Sequence, residues 1–283
     1  MRILRPIAIL LITTLFIGSA SQNKNLSCKD VVEHMLDSIK NIKSQTCNIK
    51  ATERIGDHFL IAESFIKINV YPRKIYFHSP EKGVEMLWVQ SSNNGNAIVH
   101  SKSIPLLNFD LDPLGSIVRK DQHHTIFELG TTYIGSIIAN TILKSPKDFD
   151  KHFTYGGTVK WDNKDCYQII MNFPEYKYIE YITKKEETVS SIAQKLNTSD
   201  YKIRFKNDLS SYYGSIKEGK KLTIPIPYSN KALFFVDKKT FIPIYIIVYD
   251  EEGLYESYEF KNIRINVPFK PDEFSKDFKG YGF

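Results

Sequence analysis

From Leu60 to Val70 the chain alternates: Leu60, Ala62, Ser64, Ile66, Ile68 and Val70 share one parity, and the more polar Glu63, Lys67 and Asn69 share the other. Side chains of a strand point to opposite faces in turn, so a run of this period reads as a half-buried β-strand. Its surroundings indicate how it pairs. A Gly56-Asp57 turn signal precedes it, Pro80-Glu81-Lys82-Gly83 separates strand-like runs at 74–78 and 84–90, and Asn94-Gly95 turns the chain into 97–100. Short turns of this kind join antiparallel neighbours, so this part of the chain reads as an antiparallel meander.

Strands resume at 153–161 and 166–173 around Asp162-Asn163-Lys164-Asp165, then at 232–236, 242–249 and 254–263, with turns at 237–240 and 251–253. Two stretches carry the helical period instead. Ser27 with Asp30 makes a capping box ahead of Val31, Val32, Met35, Leu36, Ile39 and Ile42, and Tyr133, Ile134, Ile137, Ile138, Thr141 and Ile142 follow the same spacing. Between them, around Asp112-Pro113-Leu114-Gly115, the strand signal fades. The expected class is α+β: one antiparallel sheet with an N-terminal helix and a second helix laid on it.

Residues 178–228 break this pattern. Thr188 is placed to cap a short helix whose apolar positions Val189, Ile192, Ala193 and Leu196 fall at i, i+3, i+4 and i+7, and Ser199 is placed to cap a second one through Asn207. Flanking strand candidates lie at 180–183 and 222–224, the latter closed by Pro225. The unit reads β-α-α-β, a packet with its own small core. The host is then discontinuous, 21–177 and 229–283, and the packet is expected to be separable from it.

The chain opens with Arg2 and Arg5, an apolar run from Pro6 to Ile17 and Gly18-Ser19-Ala20, which is the order of a signal peptide over residues 1–20. The apolar run is shorter than the roughly 20 residues a membrane span needs. The protein is therefore expected to be exported to the periplasm or cell envelope. With 42% hydrophobic and 25% charged residues the chain has enough apolar material for a core. The formal charge of +6 includes Arg2 and Arg5 and is spread along the sequence, which argues against a nucleic-acid partner. Of the three cysteines, Cys28, Cys47 and Cys166, the last two sit in alternating segments and form the candidate disulfide; the alternative is three reduced, buried thiols.

The 178–228 packet resembles the LysM family. Tyr181-Ile182-Thr183, Thr188, Ser191-Ile192-Ala193, Asn207 with Leu209, Gly219 before Leu222, and Ile224-Pro225 carry the resemblance. LysM modules bind N-acetylglucosamine-containing glycans such as peptidoglycan or chitin between two loops. The resemblance implies a groove made by Glu186, Glu187, Thr188 and Val189 on one side and Ile216, Lys217 and Glu218 on the other. Where the family usually has Gly-Asp before the threonine this chain has Glu186-Glu187, and the loop 210–217 is long.

The host resembles the LolA-like exported half-barrels, a group of periplasmic lipoprotein carriers with a related bacterial family of unknown function. The likeness rests on the N-terminal helix leading into long strands, on the strand at 84–90, and on Phe235-Val236-Asp237-Lys238-Lys239-Thr240-Phe241-Ile242-Pro243. It implies a curved sheet whose concave face takes a hydrophobic ligand.

No nucleophile elbow, zinc-protease helix or phosphate-binding glycine loop occurs, so neither catalysis, a metal nor a cofactor is expected. Adjacent His123 and His124 on a strand would face opposite ways. The leading expectation is a non-catalytic envelope protein that binds glycan through the module. The alternatives are a lipid or lipoprotein carrier acting through the host, and an unrecognised cell-wall hydrolase.

Overall fold

The computed structural model describes residues 26–283, and the signal-peptide reading of residues 1–20 lies outside them. In chain order the elements are α1 (Cys28–Lys40), β1 (Ser44–Ile55), β2 (His58–Asn69), β3 (Lys74–Ser79), β4 (Val84–Val89), β5 (Ala97–Ser101) and β6 (Asn108–Leu111). Then come α2 (Ser116–Arg119), α3 (Thr131–Lys144), α4 (Phe149–His152), β7 (Phe153–Trp161), β8 (Lys164–Asn172) and β9 (Lys177–Ile182). The chain ends in α5 (Val189–Leu196), α6 (Asp200–Lys206), β10 (Lys221–Ile226), β11 (Lys231–Asp237), β12 (Pro243–Asp250) and β13 (Gly253–Ile265).

Eleven strands form one antiparallel sheet in the order β6-β5-β4-β3-β2-β1-β13-β12-β11-β8-β7. The sheet does not close: β6 and β7 are its two edges. The fold is α+β, a curved open half-barrel with helices on its concave face. The β1–β2 hairpin keeps unbroken register from Ser44↔Asn69 to Ile55↔His58. That register puts Leu60, Ala62, Ser64, Ile66 and Ile68 on the concave face, as their alternation predicts.

Ser27 caps α1 as expected: its Oγ accepts from Asp30 N at 3.1 Å while Asp30 accepts from Ser27 N at 2.9 Å. Val31, Val32, Met35 and Ile39 of α1 are buried in the host core. The helix α3 packs beside α1, and Gly135 allows the approach, since a Cβ there would stand 2.7 Å from Ile39 Cγ2. One strand has no counterpart in the sequence reading: β6 lies just before the point where the strand signal fades, held by pairs such as Val99↔Phe109 and Ala97↔Leu111.

The Cys47–Cys166 bond is not made. All three thiols are free. Cys47 on β1 and Cys166 on β8 have three strands between them, about 19 Å at ordinary strand spacing, against the roughly 4.4–6.8 Å between Cα atoms that a disulfide requires. Equal alternation in two strands says nothing about their distance within a sheet.

After β13 the chain crosses the convex face, a feature with no periodic signal. Phe269, Phe274, Tyr281 and Phe283 cover Tyr76 and Leu87; Tyr281 stacks on Tyr76 at 3.9 Å, and Lys67 Nζ pairs with Glu273 at 2.9 Å.

The 178–228 packet forms a separate two-stranded antiparallel sheet, β9 with β10, carrying α5 and α6. Val189, Ile192, Ala193, Ile203, Ile216, Leu222 and Ile224 make its own apolar cluster. Both capping residues act as expected: Thr188 Oγ1 accepts from Ser191 N and Ser199 Oγ from Lys202 N.

Candidate functional site

In the packet, the loop after β9 and the loop before β10 are tied into one surface by a buried threonine. Thr183 Oγ1 donates to Lys217 O at 2.7 Å and accepts from Lys220 N at 2.9 Å, and Gly219 N, at φ +78°, donates to Thr183 O. Higher up, Ile216 N donates to Glu187 O at 2.8 Å, and Thr188 and Ser215 form a β-bridge. Six of the seven residues named from the resemblance lie along these two adjoining loops, and Val189 opens α5 at the end of the first. Their side chains differ in availability. Glu186, Lys217 and Glu218 are exposed, whereas Val189 (3% exposed) and Ile216 (5%) point into the packet core and offer a ligand only backbone.

Glu187 is committed to the packet itself. Its carboxylate accepts from the Tyr181 hydroxyl at 2.7 Å, Lys184 N at 2.8 Å and Lys195 Nζ at 3.2 Å. Burial would raise this carboxyl, but those donors hold it below its ordinary value of 4.5. Glu186 has φ +64°, the left-handed region in which glycine is free of strain. That explains the family's usual glycine at this place. Two guanidinium groups flank the Tyr213 ring, Arg119 at 5.0 Å and Arg204 at 4.5 Å.

In the host, a cavity of about 580 Å³ lies between the concave sheet and residues 117–134. Its walls are largely apolar, with Ile49, Leu60, Phe77, Met86, Val99 and Phe260 contributed by the sheet. Ala51 and Ala62 face each other across β1–β2 and also line it, so small side chains leave room there. The volume is that of a small-molecule site.

Where β13 meets residues 123–128, the cavity borders a buried polar cluster. Glu256, 1% exposed, accepts from His123 Nδ1 at 2.7 Å and Tyr228 at 2.8 Å, with the Tyr258 hydroxyl 3.2 Å and His124 Nε2 3.4 Å away. Glu53 accepts from His123 N and Tyr258. Burial alone would depress His124, but the Glu256 and Glu128 carboxylates push it well above its ordinary 6.5. Burial opposes ionisation of Glu256 as well, and the two histidines hold it far below the carboxylate range. Sequence reasoning set these histidines on opposite faces of a strand. They lie in an irregular segment instead, which lets both turn toward Glu256. Two consecutive histidines were the only signal. Among the described residues no group of three or more His, Cys, Asp or Glu is arranged to hold a metal ion.

The junction between packet and host is ionic and buried. Asp200 lies between Arg119 of the host and Arg204, each at 2.6 Å. Burial works against its charge, and the two guanidinium groups keep its carboxyl below the ordinary value. Lys202 Nζ reaches Asp250 at 2.9 Å, Arg54 binds the same carboxylate, Ser199 Oγ meets Tyr255 Oη at 2.8 Å, and the Tyr201 hydroxyl accepts from Gly56 N at 3.0 Å.

The family model described as "Protein of unknown function (DUF1571)" matches residues 42–197, more than half of the chain. The chain belongs to the DUF1571 family. A LysM domain model matches residues 181–225 of this DUF1571 protein, so the two matches overlap over 181–197, from the end of β9 through all of α5. No curated protein matches it. Similar solved structures include the Mycobacterium tuberculosis lipoprotein LppX, at 12% identity and TM-score 0.39 over 86% of this chain and 97% of that one. A LolA superfamily protein from Nitrosomonas europaea has 10% identity and TM-score 0.34 over 89% and 99%. The Pseudomonas aeruginosa MucA/MucB complex gives 8% and 0.37 over 87% and 60%. Likenesses at this level do not decide a ligand. Among the described residues of this DUF1571 protein, no helix is long and apolar enough to cross a membrane.

Proposed function

We propose that this DUF1571 protein is a non-catalytic protein of the cell envelope that binds peptidoglycan, or a related N-acetylglucosamine glycan, through residues 178–228, with 21–177 and 229–283 as its discontinuous host. The observation that carries the reading is the LysM match at 181–225 on a unit whose two loops adjoin through Thr183, Thr188 and Ser215. An acetamido sugar offers an N–H, a carbonyl and a methyl group. Backbone groups of the two loops suit the N–H and the carbonyl, and the methylene stem of exposed Lys217 suits the methyl. Export rests on the signal-peptide pattern of residues 1–20.

The test is retention of the full mature chain on purified peptidoglycan sacculi, with Lys217→Trp filling the space between the loops. Lys217 is exposed, so the variant keeps its fold while retention drops. A variant retained as well as the wild type overturns the groove assignment. Labelled peptidoglycan in the same assay exposes any hydrolysis, which would overturn the non-catalytic reading.

The cavity of about 580 Å³ favours a second role: the host takes a hydrophobic ligand such as an acyl chain against its concave face. Ala62→Phe would fill the wall opposite Ala51 and abolish binding of a fluorescent fatty acid. Undiminished binding by that variant refutes the cavity as its site.

A further inference from the structure

The wall of the host cavity is fastened from the packet side. Residues 112–122 run from the end of β6 through α2, with Ile117 and Val118 lining the cavity and Ile117 left 74% exposed. Among the described residues, the hydrogen bonds of this segment stay inside it: Leu114 N to Asp112 Oδ1, Gly115 N to Asp112 O, Arg119 N to Gly115 O, Lys120 N to Ser116 O and Gln122 N to Arg119 O. The exception is the Arg119 side chain. It donates to Ser190 Oγ at 2.9 Å and to Asp200 Oδ1 at 2.6 Å, both in the packet, and lies over Tyr213. The second part of the wall, α3, brings Tyr133 and Ile134 to the cavity, and it too is held by the packet. Asn197 Nδ2 donates to Ile137 O at 3.2 Å, and Lys144 Nζ donates to Leu196 O at 2.9 Å.

We propose that the packet is a latch: through Arg119 it holds residues 112–122 closed over the host cavity, and the segment swings free when this contact breaks so that an apolar ligand can pass. This rests on the reading of the cavity as a hydrophobic-ligand site. Three features make the contact releasable. Asp200 is not orphaned when Arg119 leaves, because Arg204 Nε at 2.6 Å and Ser190 Oγ at 2.7 Å still bind it. The guanidinium moves from a buried pair into water, where its charge is solvated. Of the segment's apolar side chains, Pro113 at its start is buried, Val118 packs against the host core but is only partly buried, and Leu114 and Ile117 are exposed. A local opening that breaks one fastening and little apolar packing lies far below global unfolding.

The experiment uses the full mature chain and compares wild type, Arg119→Met and Arg119→Lys. Hydrogen–deuterium exchange reads the latch without any ligand: the amides that follow Pro113, through Gln122, exchange at least about tenfold faster in Arg119→Met, with Arg119→Lys between, while β1, β2 and the packet core are unchanged. Stopped-flow fluorescence with cis-parinaric acid reads the passage: association and dissociation rise together and the equilibrium affinity stays nearly constant. Unchanged exchange at 114–122 overturns the latch whatever the fatty acid does. Faster exchange with no fatty-acid binding by either protein overturns the cavity reading, and the gating role with it.

Discussion

Replacing Glu256 by Gln tests whether the buried cluster beside the cavity is a charged network. The carboxylate receives His123 on one oxygen and Tyr228 on the other and sits 3.4 Å from His124. Glutamine has one acceptor oxygen where the carboxylate offers Oε2 to His123 and Oε1 to Tyr228, so one of these donors loses its acceptor. It also leaves His124 with Glu128 as its nearest carboxylate. Removing one partner of a buried ion pair costs about 3–5 kcal/mol, which for a chain of this size lowers Tm by about 6–20 °C. The loss depends on pH. His124 has a raised folded value, so its stabilisation is complete below the ordinary 6.5 and disappears as pH rises through that raised value. Glu256 has a depressed folded value, so its contribution is complete above the ordinary 4.5 and fades as pH falls. The Tm gap between wild type and Glu256→Gln is therefore widest between about pH 4.5 and 6.5 and narrows on both sides. Thermal denaturation followed by circular dichroism at several pH values measures it. A gap under about 2 °C across that window would refute a charged cluster.

Ile192→Asp sets a carboxylate in the packet core, where Ile192 is fully buried; at several kcal/mol for an unpaired charge, the packet unfolds and sacculus retention and Tm both fall. Retention at the wild-type level contradicts that core. Glu186→Gly relieves a left-handed φ at +64°, worth about 1 kcal/mol after the extra backbone entropy of glycine, so Tm holds or rises; a clear drop shows that the glutamate side chain has a structural role. Deleting residues 178–228 takes Lys202 from Asp250, Ser199 from Tyr255 and Tyr201 from Gly56. Against the sequence expectation of a separable insert, these contacts predict that the truncated host melts below the full chain and binds anilinonaphthalene sulfonate; an unchanged Tm would favour separability.

Local order was legible because its causes are local. The alternation from Leu60 to Val70 decides which parity of β2 faces inward, and the Ser27, Thr188 and Ser199 side chains cap helices a few residues away. Each depends on neighbours within one turn or one strand, so the residues alone determined them, and with them the α+β class and the β-α-α-β packet. The two loops of the packet were legible only through resemblance, and the resemblance could not say that Val189 and Ile216 turn inward. What remained hidden joins residues far apart in the chain. Strand order separates Cys47 from Cys166, Asp200 meets Arg119 across 81 positions, and His123 meets Glu256 across 133. A charged residue in an exposed turn and one in a buried ion pair have the same sequence signature. Only the packing of the sheet, the irregular segment and the packet into one body removes water from Arg119, Asp200, His124 and Glu256, and desolvation gives those charges their strength.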